Sequence, residues 1–280
     1  LMTDSLYSRR PLLNKDTAVC ISLAARPSNI GTRFHNYLYE ELGLNFIYKA
    51  FTTEDIEGAI RGVRALGIRG CSVSMPFKEA VIPLVDELDP SALAIESVNT
   101  IVNDGGRLIA SNTDYEAIAE LIAEHQISPA LPVVVRGAGG MAKAVVAAFR
   151  DAGFADLTVV ARNEAAGSAL AEKYGYSWQV TDPAPGPFAL VNVTPLGMTG
   201  ADEDALSFTG EQVAAAALVF DVVAFPAETP LIRLARARGV PVVTGAAVAA
   251  LQAARQFEKY TGRSIMADQV DRAAAFSREG

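Results

Sequence analysis

Three polar residues in the first half of the chain have the types that an alcohol oxidation needs. Lys78 ends Ser72-Val73-Ser74-Met75-Pro76-Phe77-Lys78, Asn99 lies in Glu96-Ser97-Val98-Asn99-Thr100, and Asp114 closes Ser111-Asn112-Thr113-Asp114. Removing a hydride from a secondary alcohol requires a partner for the hydroxyl proton. A carboxylate accepts that proton, and a nearby ammonium hydrogen-bonds the developing oxyanion or relays it. Each residue also has a plain reading: Lys78 solvated, Asn99 in a turn, Asp114 the cap of a helix over Tyr115–His125. Jointly they sit at strand or hairpin ends of one predicted domain, which favours the chemical reading. His35 and His125 have no comparable partner nearby in sequence, and His35 falls in an amphipathic stretch as a structural residue.

A second constellation is Gly137-Ala138-Gly139-Gly140-Met141-Ala142, between a strand over Val133–Arg136 and a helix over Met141–Ala152. The first glycine makes the tight turn, the second lets a diphosphate approach the backbone, and Ala142 allows close helix–strand packing. The helix N-terminus then supplies N–H donors and positive dipole to the anion. About a helix and a strand later, where an acidic residue would bind a ribose diol, stands Ala161-Arg162-Asn163. A guanidinium cannot accept from a 2′-hydroxyl but suits a 2′-phosphate, so NADP is preferred over NAD. Arg162 also reads as an ordinary solvated arginine, with Glu164 following and no second basic residue within the next few positions. Val191-Asn192-Val193-Thr194-Pro195-Leu196-Gly197-Met198 ends another strand and is placed on the nicotinamide or ribose side, or else is only a capped turn.

The elements that must position these residues follow a β-α alternation. Ala18–Leu23, Asn45–Phe51 and Ile68–Met75 read as strands; Thr32–Leu42, Thr53–Leu66 and Lys78–Val85 read as helices. Thr53 is placed at a helix start, and Lys78 at a helix N-terminus, where the dipole disfavours an ammonium and something else must hold it. Val98–Val102 and Arg107–Ala110 flank Asp104-Gly105-Gly106 as a hairpin closing the first sheet at an edge. A domain junction falls near 113. A second, parallel sheet uses Val133–Arg136, Leu157–Ala161, Phe188–Val193, Leu218–Val223 and Pro241–Thr244, with helices Met141–Ala152, Glu164–Tyr174 and Pro230–Arg238. Two alanine-rich helices, about Ala246–Tyr260 and Met266–Arg278, have no strand left to cross to and are expected on the first domain.

Composition narrows the partners. The 280 residues suffice for about two domains, half of them are hydrophobic, and 20% are charged. A formal charge of -8 opposes nucleic-acid binding, so an anionic ligand must be caught by a few local donors. Mean hydropathy is +0.22, yet no apolar run, Val213–Phe220 included, approaches the ~20 residues of a membrane helix. Cys20 and Cys71, each inside a hydrophobic run, read as reduced buried thiols of a cytoplasmic protein; no metal site is expected. The polar start from Leu1 to Arg10, followed by Pro11, does not read as a signal peptide.

With these residues assembled, the chain resembles the shikimate dehydrogenase family over almost its full length. The resemblance is carried by Phe34-His35-Asn36, Ser74-x-Pro76-x-Lys78, Val98-Asn99-Thr100, Asn112-Thr113-Asp114, the Gly137–Ala142 loop, and Arg162. Farther on it is carried by Asn192-x-Thr194-Pro195-x-Gly197-Met198, Asp221 with Thr229-Pro230, and Gln252 with Phe257. It implies a two-domain α/β enzyme: a substrate domain over 1–113, a Rossmann-type NADP domain over 114–244, and helices over 245–280 returning to the first. It implies NADP-linked interconversion of 3-dehydroshikimate and shikimate in the cleft, with Lys78 and Asp114 as the catalytic pair. Asn99, Ser74 and Gln252 would hold ring hydroxyls, Asn29, Thr32 and Ser72 would line the acid's site, and Asn163, Thr194, Pro195, Val222 and Gly245 would extend the cofactor set. A small carboxylic acid is the implied substrate, and a monomer or homodimer the expected state.

Departures from the family pattern point to its divergent, shikimate dehydrogenase-like branch. The usual Ser-x-Ser before the first helix is replaced by a stretch in which Asn29 and Thr32 can donate but Gly31 has no hydroxyl. Ser72 stands where Asn is usual and Ser74 where Thr is; Ala224 replaces a common Tyr, and Gly245-Ala246-Ala247 the usual Gly-Met-Leu. Each good hydrogen bond lost to a carboxylate costs about 1.5–3 kcal/mol, enough for roughly tenfold to hundredfold weaker handling of shikimate. A quinate- or aminoshikimate-type dehydrogenase, or a non-catalytic regulator binding NADP and a carboxylate, are the alternatives.

Overall fold

The computed structural model describes residues 9–279, so most of the polar amino-terminal stretch lies outside the described residues. The chain divides into two compact units, 1–113 with 250–280, and 114–249. The first contains β1 (Ala18–Leu23), α1 (Ile30–Leu42), β2 (Phe46–Phe51), α2 (Ile56–Ala65), β3 (Gly70–Val73), β4 (Glu87–Leu88), α3 (Pro90–Ile95), β5 (Thr100–Asp104) and β6 (Arg107–Ser111). Its six strands run in the order β2-β1-β3-β5-β6-β4. Side chains alternate across β1 and β3, so both faces of the sheet are buried. Ile21, Leu23, Cys71 and Val73 pack with Ile60 and Val63 of α2, while Cys20 on the opposite face packs with Phe34, Leu38 and Tyr39 of α1.

The β5–β6 hairpin forms as expected, with Gly105 and Gly106 both at positive φ, the backbone a two-residue turn between right-twisted strands requires. It is not the sheet edge. The short strand β4 pairs in parallel outside β6, joined by Asp86 N–H to Leu108 O and Asp89 N–H to Ala110 O, both 2.9 Å. Two helix expectations also change. Asp55, not Thr53, caps α2, its carboxylate accepting from Gly58 N–H at 2.8 Å. Residues 78–85 form turns and one short 3-10 segment, Ile82–Leu84, instead of an α-helix. Pro83 has no N–H to return to Glu79, which breaks the ladder. Lys78 therefore faces no helix dipole.

The second unit begins essentially with α4 (Thr113–Glu124) and continues through β7 (Val133–Arg136), α5 (Ala142–Asp151), β8 (Leu157–Val160), α6 (Glu164–Tyr174), β9 (Ser177–Gln179), β10 (Ala189–Asn192), α7 (Gly210–Ala215), β11 (Leu218–Asp221), α8 (Pro230–Ala237) and β12 (Val242–Val243). All its strand pairs are parallel, in the order β12-β11-β10-β7-β8-β9. The winding reverses between β7 and β10, the switch point at which such sheets take ligands beyond their carboxyl ends. Sequence periodicity missed β9 and α7 because each is too short for a period. The run Val213–Phe220 is divided between α7, closed at its start by a Thr209–Gln212 capping box, and β11.

The chain ends in α9 (Gly245–Thr261) and α10 (Ala267–Arg278). Ala254, Phe257, Tyr260 and Ala273 from these helices share a core with Phe34, Leu38 and Tyr39 of the first unit. Gly70 is required by that packing. A Cβ there would lie 2.3 Å from the ring of Tyr260.

Candidate functional site

A pocket of about 510 Å³ opens beyond the carboxyl ends of β7, β8 and β10. Gly137, Ala138 and Gly139 form one side, Arg162 and Asn163 another, and Thr194 and Pro195 a third. Gly137 has φ +111°, and a Cβ on it would stand 2.9 Å from Val193 Cγ2, so the turn tolerates no side chain. Gly139 differs. A Cβ on it would meet nothing within 4 Å, so protein packing does not demand glycine there, and the bare backbone is left open to a ligand. That opening fits the close approach of a diphosphate.

Arg162 is exposed, and no hydrogen bond or ion pair holds it among the described residues. Asn163 is partly spent: its Oδ1 caps α6 by accepting from Ala166 N–H at 3.0 Å. The 192–197 loop is built from within. Asn192 Oδ1 accepts from Thr194 Oγ1 at 2.6 Å and from Thr194 N–H at 3.0 Å, and Asn192 Nδ2 donates to Asp221 Oδ1 at 3.1 Å. Asp221 is buried, and desolvation raises its carboxyl pKa against the lowering effect of bonds from Thr229, Val223 N–H and Asn192. Asn192 thus shapes the loop while Thr194, Pro195 and Leu196 line the pocket. Gly140, Met141, Ala142, Val222 and Gly245 are absent from the lining: Met141 and Ala142 start α5, and Gly245 is needed because a Cβ would lie 2.2 Å from Val223 O.

Arg136, Val160, Ala161, Ala166, Val180 and Leu196 also line the pocket and lie outside the cofactor set expected from the sequence. Val180 is 56% exposed and follows the unpredicted β9. Arg136 ends β7, where a cation after three valines was the available signal.

In the first unit three of the candidate substrate residues, Ser72, Asn99 and Gln252, meet in a hydrogen-bonded network. Asn99, 3% exposed, accepts at Oδ1 from Thr113 N–H and from Thr100 Oγ1, both at 2.8 Å, and its Nδ2 donates to Thr113 Oγ1 at 2.9 Å. It is a junction of buried bonds and not a turn residue. Thr113 Oγ1 donates to Gln252 Oε1 at 3.3 Å. One N–H of Asn99 and the amide nitrogen of Gln252 have no partner among the described residues, leaving donors for a ligand hydroxyl.

Gln256 was not foreseen, although it stands four residues after Gln252 on the same helix face. Its Nε2 donates to Thr100 Oγ1 at 3.0 Å and to Asn99 O at 3.2 Å, and its Oε1 accepts from Ser72 Oγ at 3.3 Å. Ser72 Oγ also accepts from Tyr48 Oη at 2.9 Å and lies 2.8 Å from Tyr260 Oη. With its proton directed at Gln256, Ser72 accepts from both tyrosines and is saturated within the protein. Burial raises the pKa of both phenols, so they remain neutral donors. Behind them His35 stacks on Tyr48 at 4.4 Å, and burial lowers its pKa to about 3 against a hydrogen bond with Gln256. Its structural reading holds.

The remaining candidates are more open. Asn29 sits at the exposed N-cap of α1 without a side-chain capping bond, and Thr32 is half-buried one turn on. A Cβ at Gly31 would lie 3.3 Å from Tyr48 Oη, so the tyrosine crowds the place of the missing hydroxyl. Ser74 is exposed beyond β3. Lys78 is half-buried, its carbonyl accepting from Val98 N–H at 2.8 Å. Asp114 is half-buried inside the first turn of α4, not at its cap, because the helix already starts at Thr113. Lys78 belongs to the first unit and Asp114 opens the second. Cys20 and Cys71 are free and buried, with burial pushing Cys20 up to about 12 and Cys71 higher than its ordinary value. Among the described residues no cluster of three His, Cys, Asp or Glu could hold a metal, and no helix is long and apolar enough to cross a membrane.

A doubly wound parallel sheet with a glycine-rich pocket at its switch point, in one chain with a second α/β unit, defines a Rossmann-type dinucleotide-binding protein. Residues 29–101 match the family model described as the shikimate dehydrogenase substrate binding domain. The chain is 56% identical over 268 residues, 95% of its length and 99% of the relative's, to the shikimate dehydrogenase-like protein of Haemophilus influenzae. It is 38% identical over 257 residues, 84% of its length and 87% of the relative's, to the shikimate dehydrogenase (NADP(+)) of Chlorobaculum tepidum. A solved shikimate 5-dehydrogenase-like protein superposes with a TM-score of 0.94 at 56% identity, covering 95% of this chain and 100% of that one. The Thermus thermophilus shikimate 5-dehydrogenase in complex with NADP(H) and shikimate superposes with a TM-score of 0.81 at 30% identity, covering 93% and 99%. The chain belongs to the shikimate dehydrogenase family.

Proposed function

We propose that the protein is an NADP-dependent oxidoreductase that interconverts shikimate, or a closely related cyclic hydroxy acid, and its 3-dehydro form. The observation that carries this reading is the pocket that combines the open Gly139 backbone with Arg162, which has no partner among the described residues, in a chain of this family. NADP, when bound, supplies the hydride acceptor. The Gly137–Gly139 backbone receives its diphosphate, and Arg162 receives the 2′-phosphate through a charge-assisted fork. Asn99 and Gln252 orient the acid by donating to ring hydroxyls. Asp114 takes the hydroxyl proton as the C–H hydride leaves, and the Lys78 ammonium hydrogen-bonds the oxygen as it becomes a carbonyl. In the reverse direction Asp114 returns that proton. The substrate domain is 1–113 with the C-terminal helices, and the protein works in the cytoplasm.

A second reading, turnover of a relative such as quinate or aminoshikimate, is favoured by the saturated Ser72 and by Gly31 crowded against Tyr48. The test is NADPH or NADH formation with shikimate, quinate and aminoshikimate. Turnover of shikimate with NADP is expected. Turnover of another acid alone selects the second reading, and no turnover by protein that binds NADP leaves a ligand-binding regulator.

A further inference from the structure

Resting on the NADP reading above, we propose that Arg136 is the second cation for the 2′-phosphate and shares with Arg162 the discrimination between phosphorylated and unphosphorylated cofactor. A 2′-phosphate carries about −1.5 to −2 charges at neutral pH. Arg162 alone offers one guanidinium from an exposed position, and no basic residue follows it on α6 until Lys173. Arg136 lines the same pocket from the end of the neighbouring strand, in register with Val160, two residues before Arg162.

A guanidinium with 20% of its side chain exposed, at the end of an otherwise all-valine strand, is costly to retain for packing alone. Its surroundings leave it only partly compensated. Nη2 is ion-paired with Asp182, the ring of Phe208 lies 5.2 Å from Cζ, and Nε is buried with no partner among the described residues. Five donors thus face one carboxylate and an aromatic face, which is capacity left for a further anion. The ring restrains the guanidinium plane, so little freedom is lost when a phosphate arrives. Asp182 gives the arrangement its selectivity. Its carboxylate neutralises Arg136 when the ribose carries only a hydroxyl and competes with the phosphate when it carries one.

The full-length protein is titrated calorimetrically with 2′,5′-ADP and with 5′-ADP, which separates phosphate recognition from turnover. The unaltered protein is expected to prefer 2′,5′-ADP. Arg136→Gln should weaken 2′,5′-ADP about tenfold or more while moving 5′-ADP less than about twofold. Asp182→Asn should shift 2′,5′-ADP in the opposite direction, towards tighter binding. Equal weakening of both ligands, or of neither, means that the ion pair only braces the pocket wall and overturns the proposal. If Arg162→Ala abolishes the preference and Arg136→Gln leaves it intact, this proposal fails while the NADP reading stands. If the unaltered protein does not distinguish the two ligands, the NADP reading fails and takes the proposal with it.

Discussion

Around the Gly137–Gly139 loop the groups that face the pocket are largely unspent: bare backbone at Gly139 and a guanidinium at Arg162 with no partner among the described residues. Around Asn99 the polar groups are already consumed by one another, through Thr100, Thr113, Gln252, Gln256 and Ser72. A pocket of the first kind binds by what it leaves open, and changes at open groups such as Gly139 and Arg162 alter affinity without unsettling the fold. A buried network of the second kind binds by what it holds rigid, and removing one member leaves others without partners in a low-dielectric interior. The few donors it spares, on Asn99 and Gln252, are correspondingly well oriented.

The contrast can be broken in four ways. The largest effect is expected from Lys78→Ala, which should lower turnover by about 10²–10⁴-fold while leaving NADP affinity unchanged. Rate assays beside a cofactor titration check this, and an active variant would end the assignment of Lys78. Gly137→Val comes next. Its side chain must enter the space of Val193 in a backbone conformation with φ +111°, so dinucleotide affinity should fall more than about tenfold, with roughly 1–3 kcal/mol of strain.

Gln256→Ala should act on the other unit. It strips partners from Ser72, Thr100 and the Asn99 carbonyl, so denaturant unfolding should show a loss of about 2 kcal/mol, with a raised substrate KM and unchanged cofactor affinity. A variant with normal stability and normal KM would show that the network is not a rigid unit. The last effect is in the pH profile. His35 has a folded pKa near 3 against 6.5 for the free side chain, so from pH 6.5 down towards 3 the unfolded chain binds the extra proton. Stability contributed by neutral His35 is complete above pH 6.5 and falls with acidification, by at most about 1.4 kcal/mol per pH unit. His35→Phe keeps an aromatic ring against Tyr48 and should flatten that slope in unfolding measured across pH 4–6.5; an unchanged slope would rule out His35 as its source.

Most of the second unit was legible in the sequence because its signals are local. Glu164–Tyr174 is delimited by its own cap and by Gly175, β7 by its valines, and the dinucleotide loop by six contiguous residues between them. The first unit was legible in its alternation and its hairpin. It was misread at Lys78–Val85, where Pro83 outweighed an amphipathic pattern, and at the edge, where two-residue β4 carries no periodicity.

By itself the sequence determined the α/β alternation, the glycine-rich turn, the cation at Arg162 and the residue types from which a proton-transfer pair can be made, since each depends on neighbours within a few positions. Only the tertiary structure decided which polar groups are spent and which are free. Ser72 meets Gln256 across 184 positions and Thr113 meets Gln252 across 139, separations over which composition and spacing carry no information about contact. Arg136 joins Arg162 in one pocket for the same reason: parallel pairing brings two strand ends together that lie a helix apart in the chain.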